Sequence, residues 1–419
     1  MDKFLIEGGR PLNGVVTVSG SKNSCLPILA ATLLVEGQIR LENVPDLMDV
    51  RTMKRVLETL GAKVEFLREQ NIMTVDASTV NSVVAPYELV KTMRASFLVM
   101  GPLLARFGRA EVSLPGGCSI GPRPVDYHLK AFSEMGATVD IGHGNIIAEG
   151  KLKGGIVHLD FPSVGATENI MMAASLIDGA VTVIENAARE PEIVDLANFM
   201  NACGARVTGA GTARVEIHGV LSLRPSPYRV MPDRIEAGTL ILLSCITRSP
   251  LMIQQAPLEH LGALLEKLRE CGNVIRNQKD LILVEPVERP RGVQIATRPH
   301  PGFPTDLQAP MMSYLATAEG VSVISEGVYE NRFLHIPELC RMGAKIILDG
   351  HQAQITGVPR LLGAPVMAGD LRAGAALVLA ALSAKGNSEI QRVYHIDRGY
   401  ERLEQKLIHL GAQIQRMQG

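Results

Sequence analysis

Hydrophobic and polar positions follow one pattern six times along the 419-residue chain. Each time, a helix-length segment that is apolar on nearly every side precedes a short strand, an amphipathic helix and two further alternating runs. A helix without a polar face needs cover on all sides, so these segments are predicted to be buried. The six segments read "LPILAATLLV", "SFLVMGPLLA", "NIMMAASLI", "TLILLSCI", "APMMSYLATA" and "AALVLAALSA".

A glycine follows each amphipathic helix, in a phrase such as "LGAKVE" or "MGATVD". Glycine at this position predicts a helix C-cap with left-handed backbone, followed by a strand. Such self-similarity at a nearly fixed period indicates a repeated supersecondary unit. The glycines lie 68 to 75 residues apart, at Gly61, Gly136, Gly204, Gly272, Gly343 and Gly411.

Six repeats predict an α/β fold in two domains of three units, with apolar helices inside and sheets outside. The sixth repeat lacks a strand, and the N-terminal segment has the matching layout, so the two termini are expected to share a domain. The predicted domains are residues 22–230 and residues 1–21 with 231–419, with the active site in the cleft between them. A solenoid is the alternative that the repeats alone permit.

Composition narrows the class of protein. The 42 Lys and Arg residues nearly balance the 43 Asp and Glu residues, which argues against recruitment to nucleic acid or a membrane surface by bulk charge. The N-terminus shows no secretory signal, and no apolar run reaches the roughly 20 residues that span a bilayer. The sequence therefore predicts a cytoplasmic protein without nucleic-acid binding or membrane insertion.

One cysteine differs from the other five. Cys118 lies in "LPGGCSIGPRPVD", whose glycines and prolines predict a loop, and the longest repeat spacing places an insertion there. A flexible loop with a thiol and Arg123 is what a lid over a binding site would look like. The other cysteines lie in apolar helical stretches without zinc-ligand spacing, and are expected to be buried and inert: Cys25, Cys203, Cys245, Cys271 and Cys340.

Charged and polar residues collect where the buried helices begin. Helix N-termini favour anions, and pseudo-symmetry would bring three of them together in each domain. Ordinary capping explains Ser163, Asp233 and Asp370 equally well. It does not explain the cationic Lys22, Arg94 or Arg372, so a multiply charged anionic ligand is predicted.

Together these segments resemble the UDP-N-acetylglucosamine enolpyruvyl transferases of the EPSP synthase superfamily. The resemblance covers the whole chain and is carried by "SGSKN", "KTMRAS", "LPGGCSIGPRPVD", "SVGAT", "ENAAREPEIVD", "PDRIEAGT", "FPTD", "ENRF", "DLRA" and "HIDRGYER". It implies the inside-out barrel fold and transfer of the enolpyruvyl group of phosphoenolpyruvate to the 3-hydroxyl of UDP-N-acetylglucosamine, with release of phosphate. It also implies a role in peptidoglycan synthesis, and hence in cell shape and division, and sensitivity to fosfomycin. No cofactor or metal is implied.

The resemblance also assigns residues. It places phosphoenolpyruvate on Lys22, Asn23, Cys118, Arg123 and Arg398. The sugar nucleotide is expected at Arg94, Arg123, Pro124, Val125, Asp126, Tyr127, Ser163, Val164, Gly165, Asp306 and Val328. Asp233, Arg332, Asp370 and Arg372 are expected to support the site.

The chemistry requires an acid and a base on opposite sides of the substrate. Cys118 is the candidate acid, or a nucleophile that forms a covalent adduct, and Asp306 is the candidate base. Two alternatives remain at this point. One is transfer to shikimate 3-phosphate, in relatives that lack the cysteine loop. The other is a non-catalytic homologue that binds sugar nucleotide.

Overall fold

The computed structural model describes residues 2–91, 93–114, 125–142, 144–279, 281–329 and 331–418. Within these ranges the chain forms six four-stranded sheets and divides into two compact units. The terminal unit comprises the residues as far as Ser19 and those from Pro232 onward, and the central unit runs from Gly20 to Met231. Each unit has its own hydrophobic core.

The chain starts in the terminal unit with two strands, β1 (Lys3–Gly8) and β2 (Val15–Thr17). It then enters the central unit, whose helices are α1 (Lys22–Ala31), α2 (Met48–Thr59), α3 (Tyr87–Val90), α4 (Met100–Phe107), α5 (Asp126–Glu134), α6 (Val164–Ala174) and α7 (Pro191–Ala202). Its strands are β3 (Gln38–Glu42), β4 (Lys63–Leu67), β5 (Ile72–Asp76), β6 (Val84–Ala85), β7 (Arg109–Ser113), β8 (Thr138–Gly142), β9 (Asn145–Glu149), β10 (Gly155–His158), β11 (Val181–Glu185), β12 (Arg206–Thr208), β13 (Arg214–His218) and β14 (Tyr228–Arg229). Two 3-10 segments precede or follow the buried helices, Thr32–Leu34 and Arg94–Val99, and a third lies at Arg68–Gln70.

The chain returns to the terminal unit for its second half. Its helices are α8 (Arg234–Thr247), α9 (Gly262–Glu270), α10 (Gln308–Leu315), α11 (Ile336–Arg341), α12 (Leu371–Ser383) and α13 (Leu403–His409). Its strands are β15 (Leu251–Gln254), β16 (Val274–Gln278), β17 (Leu281–Glu285), β18 (Gln294–Ala296), β19 (Val321–Ser325), β20 (Lys345–Asp349), β21 (Gln352–Thr356), β22 (Pro365–Met367), β23 (Gly386–Gln391) and β24 (Gln413–Met417). Short 3-10 segments lie at Leu258–His260, Thr305–Leu307 and Val393–Arg398.

All six sheets have one plan: a short strand pairs in parallel with a longer one, and two antiparallel strands complete the sheet. The sheets of the central unit have the orders β14-β3-β5-β4, β6-β7-β9-β8 and β10-β11-β13-β12. Those of the terminal unit are β16-β17-β15-β2, β18-β19-β21-β20 and β22-β23-β1-β24. The short strands are two to four residues long, too short for a hydrophobic pattern, and the sequence analysis missed them.

Strand pairing explains how each unit closes. β1 lies between β23 and β24, with Phe4 opposite Ile390 on one side and Arg416 on the other. β2 is followed in sequence by α1, yet it pairs with β15 of its own unit. β14 is followed by α8, yet it pairs with β3 of the central unit. Each unit therefore takes one short strand from a distant part of the chain.

The six apolar helices are buried, as predicted. Nearly every residue of α8 and α12 is buried, whereas strands such as β21 alternate buried and exposed positions. In the terminal unit α8, α10 and α12 all pack against one another. Three mutually packed helices form a closed set rather than the linear array of a solenoid. The α/β class with buried helices and outer sheets is confirmed.

The helix-ending glycines adopt the predicted backbone. All six have positive φ, from 91° at Gly343 to 106° at Gly272. Left-handed backbone carries little penalty for glycine, so each residue turns the chain from a helix into the next strand.

One prediction about the cysteines is wrong. Cys25, Cys203, Cys245 and Cys271 are buried, but Cys340 is exposed. Cys340 belongs to the short helix α11, in which the neighbouring Leu339 is fully buried and faces the core. Consecutive residues on a helix point in different directions, so Leu339 and Cys340 cannot share the buried face. The apolar character of the stretch did not reveal which side Cys340 occupies.

Candidate functional site

Asp306 is the centre of a buried ion-pair network in the terminal unit. It lies in the 3-10 turn Thr305–Leu307 that leads into α10. Its Oδ2 accepts hydrogen bonds from Nε (3.1 Å) and Nη2 (2.7 Å) of Arg372, and its Oδ1 lies 2.7 Å from Nη2 of Arg332. The two arginine side chains are 2% and 5% exposed, against 24% for Asp306. The carboxylate is therefore the part of this network that solvent reaches.

The electrostatics keep both guanidinium groups charged. Burial by itself would lower the pKa of Arg372, but Asp306 and Asp233 raise it above its ordinary value. The pKa of Arg332 is likewise raised by Asp306 and Asp370 against the effect of burial. A reachable carboxylate held by two fixed, buried cations suits a group that accepts a hydrogen bond or a proton from a ligand.

The starts of α8, α10 and α12 all contribute side chains to this network. Asp370 is the N-cap of α12 and accepts the N–H groups of Arg372 and Ala373. Asp233 caps α8 in the same manner, and its charge acts on the pKa of Arg372. Both carboxylates thus have a capping role, as ordinary helix chemistry predicts, and both also contribute to the field around the arginines.

Glu326 organises the loop that carries Val328. The Glu326 side chain is 4% exposed, and its Oε1 accepts the backbone N–H groups of Val328 (2.9 Å) and Tyr329 (3.1 Å). Its Oε2 accepts the Thr305 hydroxyl at 3.0 Å, and Thr305 in turn accepts Nη1 of Arg332. The Val328 loop is therefore connected to the Asp306 network through side-chain hydrogen bonds.

Two histidines border the same network. Burial lowers the pKa of His335 to about 4; the negative charge of Asp370 acts against this shift, and the positive charge of Arg332 adds to it. The pKa of His395 is also lowered, by burial and by the nearby charge of Arg398. Both imidazoles are neutral at pH 7 and do not add to the positive charge of the site.

The central unit places Lys22 and Asn23 in the first turn of α1. Ser21 is the N-cap of this helix, and its side chain accepts the N–H of Ser24. Nζ of Lys22 lies 3.5 Å from Oδ2 of Asp49, and both side chains are nearly buried, at 13% and 6% exposure. A buried carboxylate thus holds the ammonium group near a helix N-terminus, where the dipole alone would disfavour it.

A second group of residues in the central unit surrounds His128. This imidazole lies against the start of α6, because a Cβ added at Gly165 would approach its Cε1 to 3.2 Å. Its Nδ1 contacts Nδ2 of Asn169 at 2.9 Å. Burial and the charge of Arg94 lower the pKa of His128 to about 3, so the ring is neutral. Arg94 and the start of α6 at Gly165 therefore both lie near one uncharged side chain.

The remaining predicted residues are distributed between the two units. Ser163 caps α6, where Val164 and Gly165 form the first turn, and Asp126 and Tyr127 begin α5 just after Val125. Arg398 ends the 3-10 segment Val393–Arg398 in the terminal unit. Cys118, Arg123 and Pro124 lie outside the described residues.

Sequence analysis missed several residues that shape the site. Glu326 follows strand β19 directly, and a carboxylate at a strand end is a signal that could have found it. Tyr400 stands in "HIDRGYER" and stacks under the Arg372 guanidinium at 5.3 Å, with its hydroxyl 2.9 Å from Thr239. Among the described residues, no group of three His, Cys, Asp or Glu side chains is placed to hold a metal ion. No helix in those ranges is both long and apolar enough to cross a membrane.

The chain and its fold belong to a known class of enzyme. The sequence profile of the EPSP synthase (3-phosphoshikimate 1-carboxyvinyltransferase) family matches residues 6–407, so the chain is a member of that family. The crystal structure of the enolpyruvyl transferase NikO from Streptomyces tendae has a TM-score of 0.91 at 27% identity, covering 100% of this chain and 99% of that one. EPSP synthase from Acinetobacter baumannii has a TM-score of 0.77 at 17% identity over the full length of both chains, which supports the fold alone.

Curated relatives are more similar still, and they carry one name. UDP-N-acetylglucosamine 1-carboxyvinyltransferase of Trichlorobacter lovleyi is 54% identical over 419 residues, covering 100% of this chain and 99% of the relative. The enzyme of the same name from Geobacter metallireducens is 52% identical over the full length of both chains. UDP-N-acetylglucosamine 1-carboxyvinyltransferase 2 of Carboxydothermus hydrogenoformans is 54% identical, also over the full length of both.

Proposed function

We propose that this protein transfers the enolpyruvyl group of phosphoenolpyruvate to the 3-hydroxyl of UDP-N-acetylglucosamine and releases phosphate. The observation that carries the proposal is full-length identity of 54% to a UDP-N-acetylglucosamine 1-carboxyvinyltransferase. In a bacterial cytoplasm this reaction would supply the precursor of peptidoglycan, and through it support cell-wall growth and division.

The reaction has two stages. In the addition, the methylene carbon of phosphoenolpyruvate gains a proton and the sugar hydroxyl attacks the central carbon, forming one C–O bond. In the elimination, the methyl group loses a proton and the C–O bond to phosphate breaks. Each stage needs one group that donates a proton and one that accepts it.

We assign Asp306 to deprotonation of the sugar hydroxyl. Its side chain is 24% exposed, and ion pairs with two buried arginines fix its orientation. Cys118 is the proposed acid, or the nucleophile in a covalent adduct, as the family resemblance implies. Both substrates are anionic, which agrees with the cationic residues that the two units supply.

We further propose that Lys22, Asn23, Arg123 and Arg398 bind phosphoenolpyruvate. Lys22 is suited to this because Asp49 holds its ammonium group beside the N–H groups that begin α1. The proposed sugar-nucleotide contacts comprise Arg94, the segment 123–127, the α6 start at residues 163–165, Asp306 and Val328. Asp233, Arg332, Asp370 and Arg372 would support these groups from the terminal unit.

Phosphate release tests the proposal directly. The purified chain is incubated with phosphoenolpyruvate and either UDP-N-acetylglucosamine or shikimate 3-phosphate, and free phosphate is measured over time. Phosphate release with UDP-N-acetylglucosamine but not with shikimate 3-phosphate supports the assignment. Release only with shikimate 3-phosphate would replace it with the sister activity, and release with neither would favour a non-catalytic binding protein.

A further inference from the structure

A buried carboxylate outside the proposed site connects three segments of the central unit. Asp195 lies on α7 and is 7% exposed. Its Oδ2 accepts a short hydrogen bond from the Ser24 hydroxyl and the N–H of Met231 at 3.2 Å. Its Oδ1 accepts the Tyr228 hydroxyl at 2.6 Å. Asp195 is not among the functional residues assigned above.

Two of these contacts belong to a closed ring of hydrogen bonds. Oδ2 of Asp195 accepts the N–H of Met231, and the carbonyl of Met231 accepts the N–H of Ser21 at 2.8 Å. The Ser21 hydroxyl accepts the N–H of Ser24 at 3.2 Å, and the Ser24 hydroxyl donates to Oδ2 of Asp195, which closes the ring. Ser21 and Ser24 are 1% and 0% exposed, so water does not compete effectively for these bonds.

The ring encloses the two residues proposed to bind phosphoenolpyruvate in the central unit. Lys22 and Asn23 are the residues between Ser21 and Ser24, and both ends of this short segment are members of the ring. A change in any ring bond allows the first turn of α1 to shift. A displacement of about 1 Å at a binding group costs up to roughly 100-fold in kcat/KM.

We propose that Asp195 is a positioning residue, which acts through Ser24, Ser21 and Met231 to hold Lys22 and Asn23 in the geometry that binds the anionic substrate. The inference rests on the proposed function, because the substrate it concerns is phosphoenolpyruvate. It adds to that function a buried group that contacts neither substrate.

Tyr228 provides the matched control. Its hydroxyl binds the same carboxylate, but through Oδ1, and it is not a member of the ring. Tyr228→Phe therefore removes a hydrogen bond from Asp195 while all four ring bonds remain. A role in stability alone would make the loss of Tyr228 and the loss of Ser24 equivalent, whereas positioning distinguishes them.

The experiment measures steady-state kinetics of the full chain for Ser24→Ala, Asp195→Ala, the double variant and Tyr228→Phe, with thermal unfolding of each. Ser24→Ala and Asp195→Ala are expected to raise KM for phosphoenolpyruvate about tenfold, corresponding to about 1.4 kcal/mol, and to change kcat less than about threefold. The double variant is expected to match the single variants rather than multiply them, because one broken bond already opens the ring. Tyr228→Phe is expected to lower Tm and leave KM unchanged.

The outcomes separate this inference from the proposed function. A wild-type chain without enolpyruvyl transfer would refute the function itself. With an active wild type, an unchanged KM in Ser24→Ala and Asp195→Ala would overturn the positioning role. An equal rise in KM for Tyr228→Phe would also overturn it. Should Asp195→Ala fail to fold, Ser24→Ala still decides, because it removes one hydroxyl and creates little cavity.

Discussion

Asp306→Asn tests the centre of the proposed site, since it removes one negative charge and almost no volume. The carboxylate accepts two hydrogen bonds from Arg372 and one ion pair from Arg332. An amide can accept at only one of its two polar atoms, and its NH₂ group would face a guanidinium donor. The variant therefore loses both the proposed base and the counter-charge of two buried cations.

The two consequences have different magnitudes. Loss of a general base lowers turnover by at least about 100-fold, equivalent to about 2.7 kcal/mol in the activation free energy. Removing one partner of a buried ion pair costs about 3–5 kcal/mol of stability, and the 24% exposure of Asp306 places the cost near 3 kcal/mol. For a unit of this size that lowers Tm by roughly 6–12 °C.

The assay combines phosphate release with binding of both substrates and thermal unfolding. Glu285→Gln is the matched stability control, because Glu285 forms a two-point ion pair with Arg276 in the same unit at 3.0 and 3.2 Å. These side chains are 41% and 61% exposed, so the expected loss is within about 1 kcal/mol. Wild-type turnover in Asp306→Asn would remove Asp306 from the mechanism, and a Tm loss no greater than that of Glu285→Gln would refute the energetic reasoning.

Three further predictions concern other parts of the chain. Fosfomycin is expected to modify Cys118 alone, whereas iodoacetamide is expected to modify the exposed Cys340 as well, as peptide mapping by mass spectrometry would show. Burial and the charge of Arg94 lower the pKa of His128 to about 3 in the folded chain, so the unfolded chain binds a proton at this side chain first as the pH falls. The free energy of unfolding is therefore expected to decrease below about pH 6.5, by roughly 1.4 kcal/mol per pH unit. His128→Gln should reduce that slope in urea unfolding. Gly411→Ala is expected to cost about 1 kcal/mol through its φ of +93° alone, whereas Gly61→Ala should cost more, because its Cβ would lie 2.9 Å from the Thr79 carbonyl oxygen.

Each of these has a result that contradicts it. Fosfomycin on Cys340, or no modification at all, would exclude Cys118 as the thiol beside the anion site. An unchanged pH slope in His128→Gln would mean that His128 titrates alike in folded and unfolded chains. Equal unfolding free energies for the two alanine variants would show that the close contact at Gly61 relaxes without cost.

The residues of the proposed site could be assigned from the sequence because many of them occur in short motifs at helix starts. Asp306 and Arg372 are 66 positions apart in sequence, yet each was assigned from its own motif. The motifs do not show that the Asp306 and Arg372 side chains form an ion pair with each other. The same limit applies to Asp195, which stands in the "ENAAREPEIVD" motif but whose contacts with Ser24 and Met231 depend on strand β14 and helix α1 meeting α7.

The sequence by itself determined the repeat, the six buried helices and the glycines that end the amphipathic helices, because these features depend on local periodicity and backbone preference. Only the tertiary structure decided which strand completes each sheet, which side of α11 carries Cys340, and which carboxylate holds which cation. Pairing of distant segments is a property of the closed core. The free energy of a buried charge depends on its neighbours in space rather than in sequence.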